Sequence, residues 1–259
     1  VLDFVNKAED IREAILAEYF APNGRFCLDT QTAYVLALHY GIWRDRQRVM
    51  DAFRTRLERD FFKIKTGFAG TPLMLPTLFE CGLDDYAYRL LMNEELPGWL
   101  YAVNMGATTI WERWNSVLPD GTISGTGMNS LNHYAYGSVC QAIYGYIAGL
   151  RPAAPGWKRA VIAPRTNWRL REIDLAYRSP SGTYRVAWKL LDSGQLDVEL
   201  SIPSGAVAQV ELPGREGMEL LGGDYHFLYR PGTDYLHPFS RNSFLYDILR
   251  NEDAAGVLR

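Results

Sequence analysis

The feature that most constrains this chain is a change of hydrophobic period at Arg151-Pro152-Ala153-Ala154-Pro155-Gly156. Ahead of it apolar residues recur at helical spacing, and beyond it they alternate or fall in short runs. One face cannot satisfy both periods, so a helical part must be followed by a strand part with a core of its own. The length of 259 residues agrees, because single cores stop growing at roughly 250 residues. The reading is a multi-domain α and β protein, with a linker at 151–156.

Over 1–150 the spacing predicts helices at 2–20, 30–42, 45–62, 71–81, 83–95 and 128–149. They are separated by Pro22-Asn23-Gly24, Thr66-Gly67, Gly82 and Pro97-Gly98, where glycine costs a helix about 1 kcal/mol and proline about 3 kcal/mol. Leu2, Val5, Ala8, Ile11, Ile15 and Tyr19 keep helical spacing from the first residues with no cap ahead of them, so the chain is expected to begin inside a larger protein. Residues 99–127 resist the pattern, with β-prone Thr108-Thr109-Ile110 and the turn-rich Pro119-Asp120-Gly121 and Ser124-Gly125-Thr126-Gly127. A long irregular loop in a compact helical domain is usually functional.

Beyond the linker, strands are expected at 160–162, 173–178, 182–191, 195–202, 206–212 and 225–229. Ser179-Pro180-Ser181-Gly182, Asp192-Ser193-Gly194, Pro203-Ser204-Gly205 and Gly222-Gly223 read as the turns between them. This predicts an antiparallel β-sandwich over 157–235 and a tail, 236–259, with a short helix around Phe244–Leu249.

Composition excludes several classes. Hydrophobic residues at 47% and charged residues at 22% are ordinary for a folded chain. A net charge of −3 with scattered lysine and arginine offers no basic stripe, so nucleic acid is not an expected partner. No apolar run approaches the roughly 20 residues of a membrane span, so no membrane is expected either. Cys27, Cys81 and Cys140 are odd in number and lack a CxxC, and they read as buried thiols. His39, His133, His226 and His237 have no carboxylates at ligand spacing, so neither a metal nor a cofactor is expected. There is no GxSxG elbow, Walker loop or GxGxxG after a strand.

The densest cluster of reactive types is Gly106-Ala107-Thr108-Thr109-Ile110-Trp111-Glu112-Arg113-Trp114-Asn115. Indoles beside a carboxylate desolvate it and can stack on a pyranose ring, which is chemistry of the glycosidase kind. A second reading stays open: Trp111 and Trp114 anchor the core while Glu112 pairs with Arg113. His133, in Asn132-His133-Tyr134-Ala135-Tyr136-Gly137, could bond a sugar hydroxyl or orient a carboxylate, and an isolated histidine is equally at home in a structural role.

At Gly67-Phe68-Ala69-Gly70-Thr71, at Gly106–Asn115 and at Asn132–Gly137 the chain resembles the bacterial α-L-rhamnosidases of glycoside hydrolase family 78. Trp188, Ile202-Pro203-Ser204-Gly205 and Glu211-Leu212-Pro213 carry a weaker likeness to that family's C-terminal sandwich. The resemblance implies that 1–150 is the C-terminal half of an (α/α)6 barrel and that the activity is inverting hydrolysis of terminal α-L-rhamnosides. It implies Glu112 as general base, deprotonating water, and His133 as a ligand of the rhamnose in the −1 subsite. Trp111, Trp114 and Trp99 are then candidate walls of the sugar cleft, with Tyr101 and Asn104 as lesser candidates and Gly67–Thr71 either near its mouth or a helix entry capped by Thr71. The partner expected is a rhamnose-containing oligosaccharide or glycoside.

Inversion needs a second carboxylic acid roughly 6.5–9.5 Å from the base. The family carries it in a DERxGWxGD-like motif, which this chain lacks, so the acid is expected upstream of Val1 and the chain alone is expected to be inactive. The competing reading is a non-catalytic protein derived from this fold that binds carbohydrate or another partner.

Overall fold

The computed structural model describes residues 2–125, 127–236, 238–240 and 243–257; Thr126 of the glycine-rich turn and His237 lie outside the described residues. The chain divides into two compact units, Val1–Ile147 and Ala148–Arg259.

The first unit contains α1 (Leu2–Tyr19), α2 (Gln31–His39), α3 (Arg46–Arg59), α4 (Thr71–Glu80), α5 (Asp84–Leu91) and α6 (Trp99–Asn104). Two starts are set by side chains that accept the orphan N–H groups of a first turn: Thr30 from Ala33 and Asp45 from Arg48. Phe53, Leu57, Met74, Leu75, Leu78 and Tyr88 fill the core, whereas Phe4, Val5 and Ile11 of α1 are exposed.

Three helical expectations are corrected. The helix expected to 62 ends at Arg59, where Asp60 turns inward and Phe61 and Phe62 take left-handed φ values of 52° and 53°. The helix expected to 95 ends at Leu91, because Asn93 offers the backbone a competing turn by donating to the carbonyls of Glu95 and Pro97. The helix expected over 128–149 begins only at Ala135. It is a 3₁₀ turn (Ala135–Ser138), one α turn α7 (Val139–Ala142) and a π stretch (Ile143–Ile147). Conversely, α6 lies inside the segment expected to be loop.

Asp60 is the buried charge of this unit, with a side chain only 4% exposed. Its carboxylate receives Arg56 Nη2 at 2.6 Å, Gln31 Nε2 at 2.8 Å and Lys65 Nζ at 2.9 Å. Gln31 also donates to the carbonyl of Lys63 at 2.8 Å and accepts from the N–H of Lys65 at 2.9 Å, which fixes the chain leading to Thr66. Burial alone would raise the Asp60 carboxyl, but the bonds from Arg56, Lys65 and Gln31 outweigh it and hold the group below the usual carboxylate value.

The second unit contains β1 (Leu150–Pro152), β2 (Arg159–Ile162), β3 (Glu172–Ser179), β4 (Gly182–Leu190), β5 (Leu196–Val210) and β6 (Met218–Tyr229), then α8 (Leu245–Arg250) and α9 (Glu252–Val257). The antiparallel sandwich expected from sequence takes the form of one continuous sheet in the order β1-β2-β5-β4-β3, with β6 also on β5. Its pairings are antiparallel except β2 with β5. The 15-residue β5 organises it: Leu196–Ser201 pairs with β4, Val207–Val210 pairs with β2, and β6 follows both halves across an irregularity between Ile202 and Val207. Pro203-Ser204-Gly205 and Gly222-Gly223 are therefore a bulge and its partner instead of turns. A Cβ on Gly222 would sit 2.6 Å from the carbonyl oxygen of Pro203. The stretch expected as linker, 151–156, instead supplies most of β1 and the start of a 3₁₀ turn at Pro155–Trp157.

The cysteine expectation is also corrected. Cys27 and Cys140 are exposed and Cys81 is half-buried, with Arg46 Nη2 3.5 Å from its sulfur.

Two outcomes follow from these contacts. Asp60→Ala should lower the stability of the helical unit by about 3 kcal/mol, since it strips a buried network of one partner. A depressed folded carboxyl contributes stability that is present above its unfolded value, about 3.9, and is lost as pH falls through the folded one. Acidification from about pH 5 to about pH 2 should thus narrow the gap between native and variant urea midpoints. Gly149 has φ +78°, and a Cβ there would lie 2.2 Å from the carbonyl carbon of Ala163. Gly149→Ala should therefore melt the strand unit at a markedly lower temperature, measured by circular dichroism.

Candidate active site

The candidate residues sit where two chain segments run side by side. Glu112 donates its N–H to the carbonyl of Ser130 at 2.9 Å, and His133 donates its N–H to the carbonyl of Ile110 at 2.7 Å. The hydroxyl of Thr109 adds a bond to the carbonyl of Leu131. This pairing keeps residues 130–133 out of the following helix and sets Glu112 opposite Ser130 and His133 opposite Ile110. The N–H of Ser130 returns to the Glu112 carboxylate, 2.7 Å from Oε2. Oε1 has no hydrogen-bond partner among the described residues, and no ion pair joins Glu112 to Arg113. Arg113 instead donates Nη2 to the carbonyls of Gly127 at 2.9 Å and Ser124 at 3.4 Å.

An aromatic ladder backs this pairing. Trp99 meets Trp114 edge-on at 5.2 Å, Trp114 stacks on Tyr136 at 3.9 Å, and Tyr136 meets Phe68 at 5.6 Å. Phe68 then stacks on His133 at 5.0 Å, and His133 lies against Tyr134 at 4.9 Å. Each buried indole nitrogen finds a carbonyl: Trp99 Nε1 donates to Tyr136 at 2.9 Å and Trp114 Nε1 to Thr66 at 3.1 Å. Burial raises the Tyr136 hydroxyl above its ordinary value. The ladder runs from buried Trp99 to Tyr134, which is 87% exposed. His133 Nδ1 accepts weakly from the N–H of Ala135 at 3.3 Å, which leaves Nε2 as the nitrogen without a partner among the described residues.

Trp99, Trp111 and Trp114 border a cavity of about 390 Å³ together with Tyr136, Ile110 and Ile143, but neither Glu112 nor His133 lines it. The structure thus brings the three tryptophans together around one volume and places the two polar candidates outside it. Tyr101 is buried, and its hydroxyl donates to the carbonyl of Val117 at 2.8 Å, while Asn104 is exposed at the end of α6. Thr71 does not cap α4. Its hydroxyl lies 2.8 Å from that of Thr66, and Gly70 occupies the cap position. Sequence reasoning did not single out Phe68 or Asn129. The Gly67–Thr71 motif was the available signal for Phe68, and an Asn immediately before the Ser130 turn was the only one for Asn129.

Comparison with known proteins decides the family. Residues 2–147 match the model described as the bacterial alpha-L-rhamnosidase 6 hairpin glycosidase domain, and residues 149–226 match the bacterial alpha-L-rhamnosidase C-terminal domain. The chain belongs to the bacterial α-L-rhamnosidases. A curated α-L-rhamnosidase from Streptomyces avermitilis is 38% identical over 205 residues, covering 78% of this chain and 20% of the relative. A solved structure from the same organism, an α-L-rhamnosidase complexed with L-rhamnose, superposes with a TM-score of 0.83 at 33% identity, over 88% of this chain and 24% of that one. The native α-L-rhamnosidase of Aspergillus terreus gives 0.84 at 31% identity, over 88% and 27% respectively. The chain therefore spans about a fifth to a quarter of the length of these relatives. Among the described residues there is no cluster suited to a metal ion and no helix long and apolar enough to cross a membrane.

Trp114 tests whether the indoles are scaffold or sugar platform. Trp114→Phe keeps a ring on Tyr136 and removes the bond to Thr66, so it should destabilise the helical unit by about 1–3 kcal/mol. Chemical denaturation measures this. Unchanged stability with weakened rhamnose affinity would make the indole a ligand contact instead.

Proposed function

We propose that this chain supplies the general base and part of the rhamnose subsite of an inverting α-L-rhamnosidase. The observation that carries the reading is the state of Glu112: one carboxylate oxygen is held by the N–H of Ser130, and the other is without a partner among the described residues, on the segment whose Ile110 carbonyl receives the N–H of His133. A carboxylate so oriented can accept a proton from water through Oε1 as the water oxygen attacks the anomeric carbon. The bond from that carbon to the glycosidic oxygen breaks, and the oxygen takes a proton from a carboxylic acid expected upstream of Val1. His133 offers its free Nε2 to a hydroxyl of the sugar. Phe68, about half exposed, and Tyr134 flank the imidazole with apolar faces suited to a deoxy sugar. Trp99, Trp111 and Trp114 wall the cavity on the other side of the segment and hold it in place.

The partner proposed is a terminal α-L-rhamnoside of an oligosaccharide or glycoside. The relative solved with L-rhamnose supports that sugar, and the family membership supports hydrolysis. The experiment is hydrolysis of an aryl α-L-rhamnoside, with NMR reading the anomer first released. A longer enzyme that includes this chain should release the inverted anomer. Glu112→Gln in it should lower turnover by roughly 10²–10⁴-fold and leave a measurable residual rate, since an amide cannot accept the water proton. The 259-residue chain by itself should be nearly inert, because general acid catalysis contributes roughly 10²–10⁴-fold. Strong turnover by the chain itself would place the acid within residues 1–259 and overturn this division of roles.

A further inference from the structure

We propose that Asn129 is a positioning residue for Glu112, an inference that rests on the reading of Glu112 as general base. Among the described residues the only hydrogen bond to the Glu112 carboxylate comes from the N–H of Ser130, and that N–H belongs to the peptide unit joining Asn129 to Ser130. The orientation of this peptide unit decides which carboxylate oxygen is held and which is left for water.

The unit is fixed from both sides. On the Ser130 side, the carbonyl of Ser130, in the next peptide unit along, accepts the N–H of Glu112 at 2.9 Å. On the Asn129 side, the amide Nδ2 reaches three backbone carbonyls, those of Ser124 at 2.8 Å, Ser116 at 3.3 Å and Gly125 at 3.3 Å. These three belong to the turn-rich loop after the Glu112 segment, which closes on itself where Ser124 donates its N–H to the carbonyl of Ser116 at 3.0 Å. Asn129 Oδ1 is buried without a partner among the described residues. A buried acceptor left unsatisfied is costly, so the position is occupied for what the amide donates. One side chain thus ties the hairpin-like loop to the peptide unit that grips the base, and it acts on catalysis only through Glu112.

Misplacing a reacting group by about 1 Å costs up to roughly 100-fold in rate. In the longer enzyme, Asn129→Ala should lower kcat for an aryl rhamnoside by about 10- to 100-fold while KM changes less than about threefold, since the sugar contacts stay in place. The decisive reading is the double variant. If Asn129 works through the carboxylate, Asn129→Ala should cost nothing further in a Glu112→Gln background, and the double variant should match Glu112→Gln alone. Should Asn129→Ala fail to fold by thermal melt, Asn129→Asp keeps the size, loses the donors and takes its place in the same three comparisons. An unchanged kcat in the single variant overturns the proposal, and so does a double variant slower than Glu112→Gln by the full single-variant factor. Full turnover by Glu112→Gln is a separate result that removes the base assignment itself.

Discussion

The pairing of residues 110–112 with 130–133 is the constraint on which the candidate site depends. Two backbone bonds, Glu112 to Ser130 and His133 to Ile110, tie the ends of a long irregular loop to each other. Without them each polar side chain would ride on its own flexible segment, and ordering every residue of such a loop costs about 1–2 kcal/mol. The pairing also settles where the next helix can start. Residues that lend their N–H and carbonyl groups to a neighbouring segment cannot also close helical turns, so helical geometry resumes only at Ala135.

The aromatic ladder meets the cost of this arrangement from behind. A tryptophan buried without a partner for its N–H would be expensive, and here both nitrogens land on backbone carbonyls, that of Tyr136 in the 3₁₀ turn for Trp99 and that of Thr66 ahead of α4 for Trp114. The indoles therefore serve the backbone first. The segment carrying Thr66 is itself set by Gln31 and the buried Asp60, so a charge network on α2 and α3 reaches the site through Phe68, whose ring stacks on His133 at 5.0 Å. The same residue types that suggest sugar stacking are here mostly interior, and the aromatic surface left open is that of Phe68 and Tyr134.

What was legible in the sequence was local. Thr30 and Asp45 declare their helix starts, the glycine- and proline-marked breaks fall between helices, and the period-two runs after residue 157 become strands. The WERW and NHYAYG motifs lie in the two segments that backbone bonds bring together. Several of the failures share a physical cause, because they depend on a partner distant in sequence. Nothing near Gly222 announces that it faces the carbonyl of Pro203 across a bulge, so a glycine pair that reads as a turn lies inside β6. Nothing near Leu131 announces that its segment is claimed by Thr109 and Ile110. Asn129 is an ordinary loop residue until the carbonyls of Ser116, Ser124 and Gly125 are brought around it.

The two units also differ in what their polar groups are free to do. On the face shared by β3, β4, β5 and β6 the charges are spent on one another: Arg185 bridges Asp174 and Glu199, Lys189 pairs with Glu172, and His226 pairs with Asp197 at 2.6 Å. Exposed pairs of this kind contribute roughly 0–1 kcal/mol each, so their consequence is register more than stability. A one-residue slip would turn every one of them inward and bring Trp188 and Val198 to the surface. In the helical unit the balance is reversed, since Glu112 Oε1 and His133 Nε2 are left without partners among the described residues while the backbone that carries them is held by its neighbours. Unengaged polar atoms held in place by an engaged surrounding are what a reacting sugar and water can use, and the helical unit is where this chain keeps them.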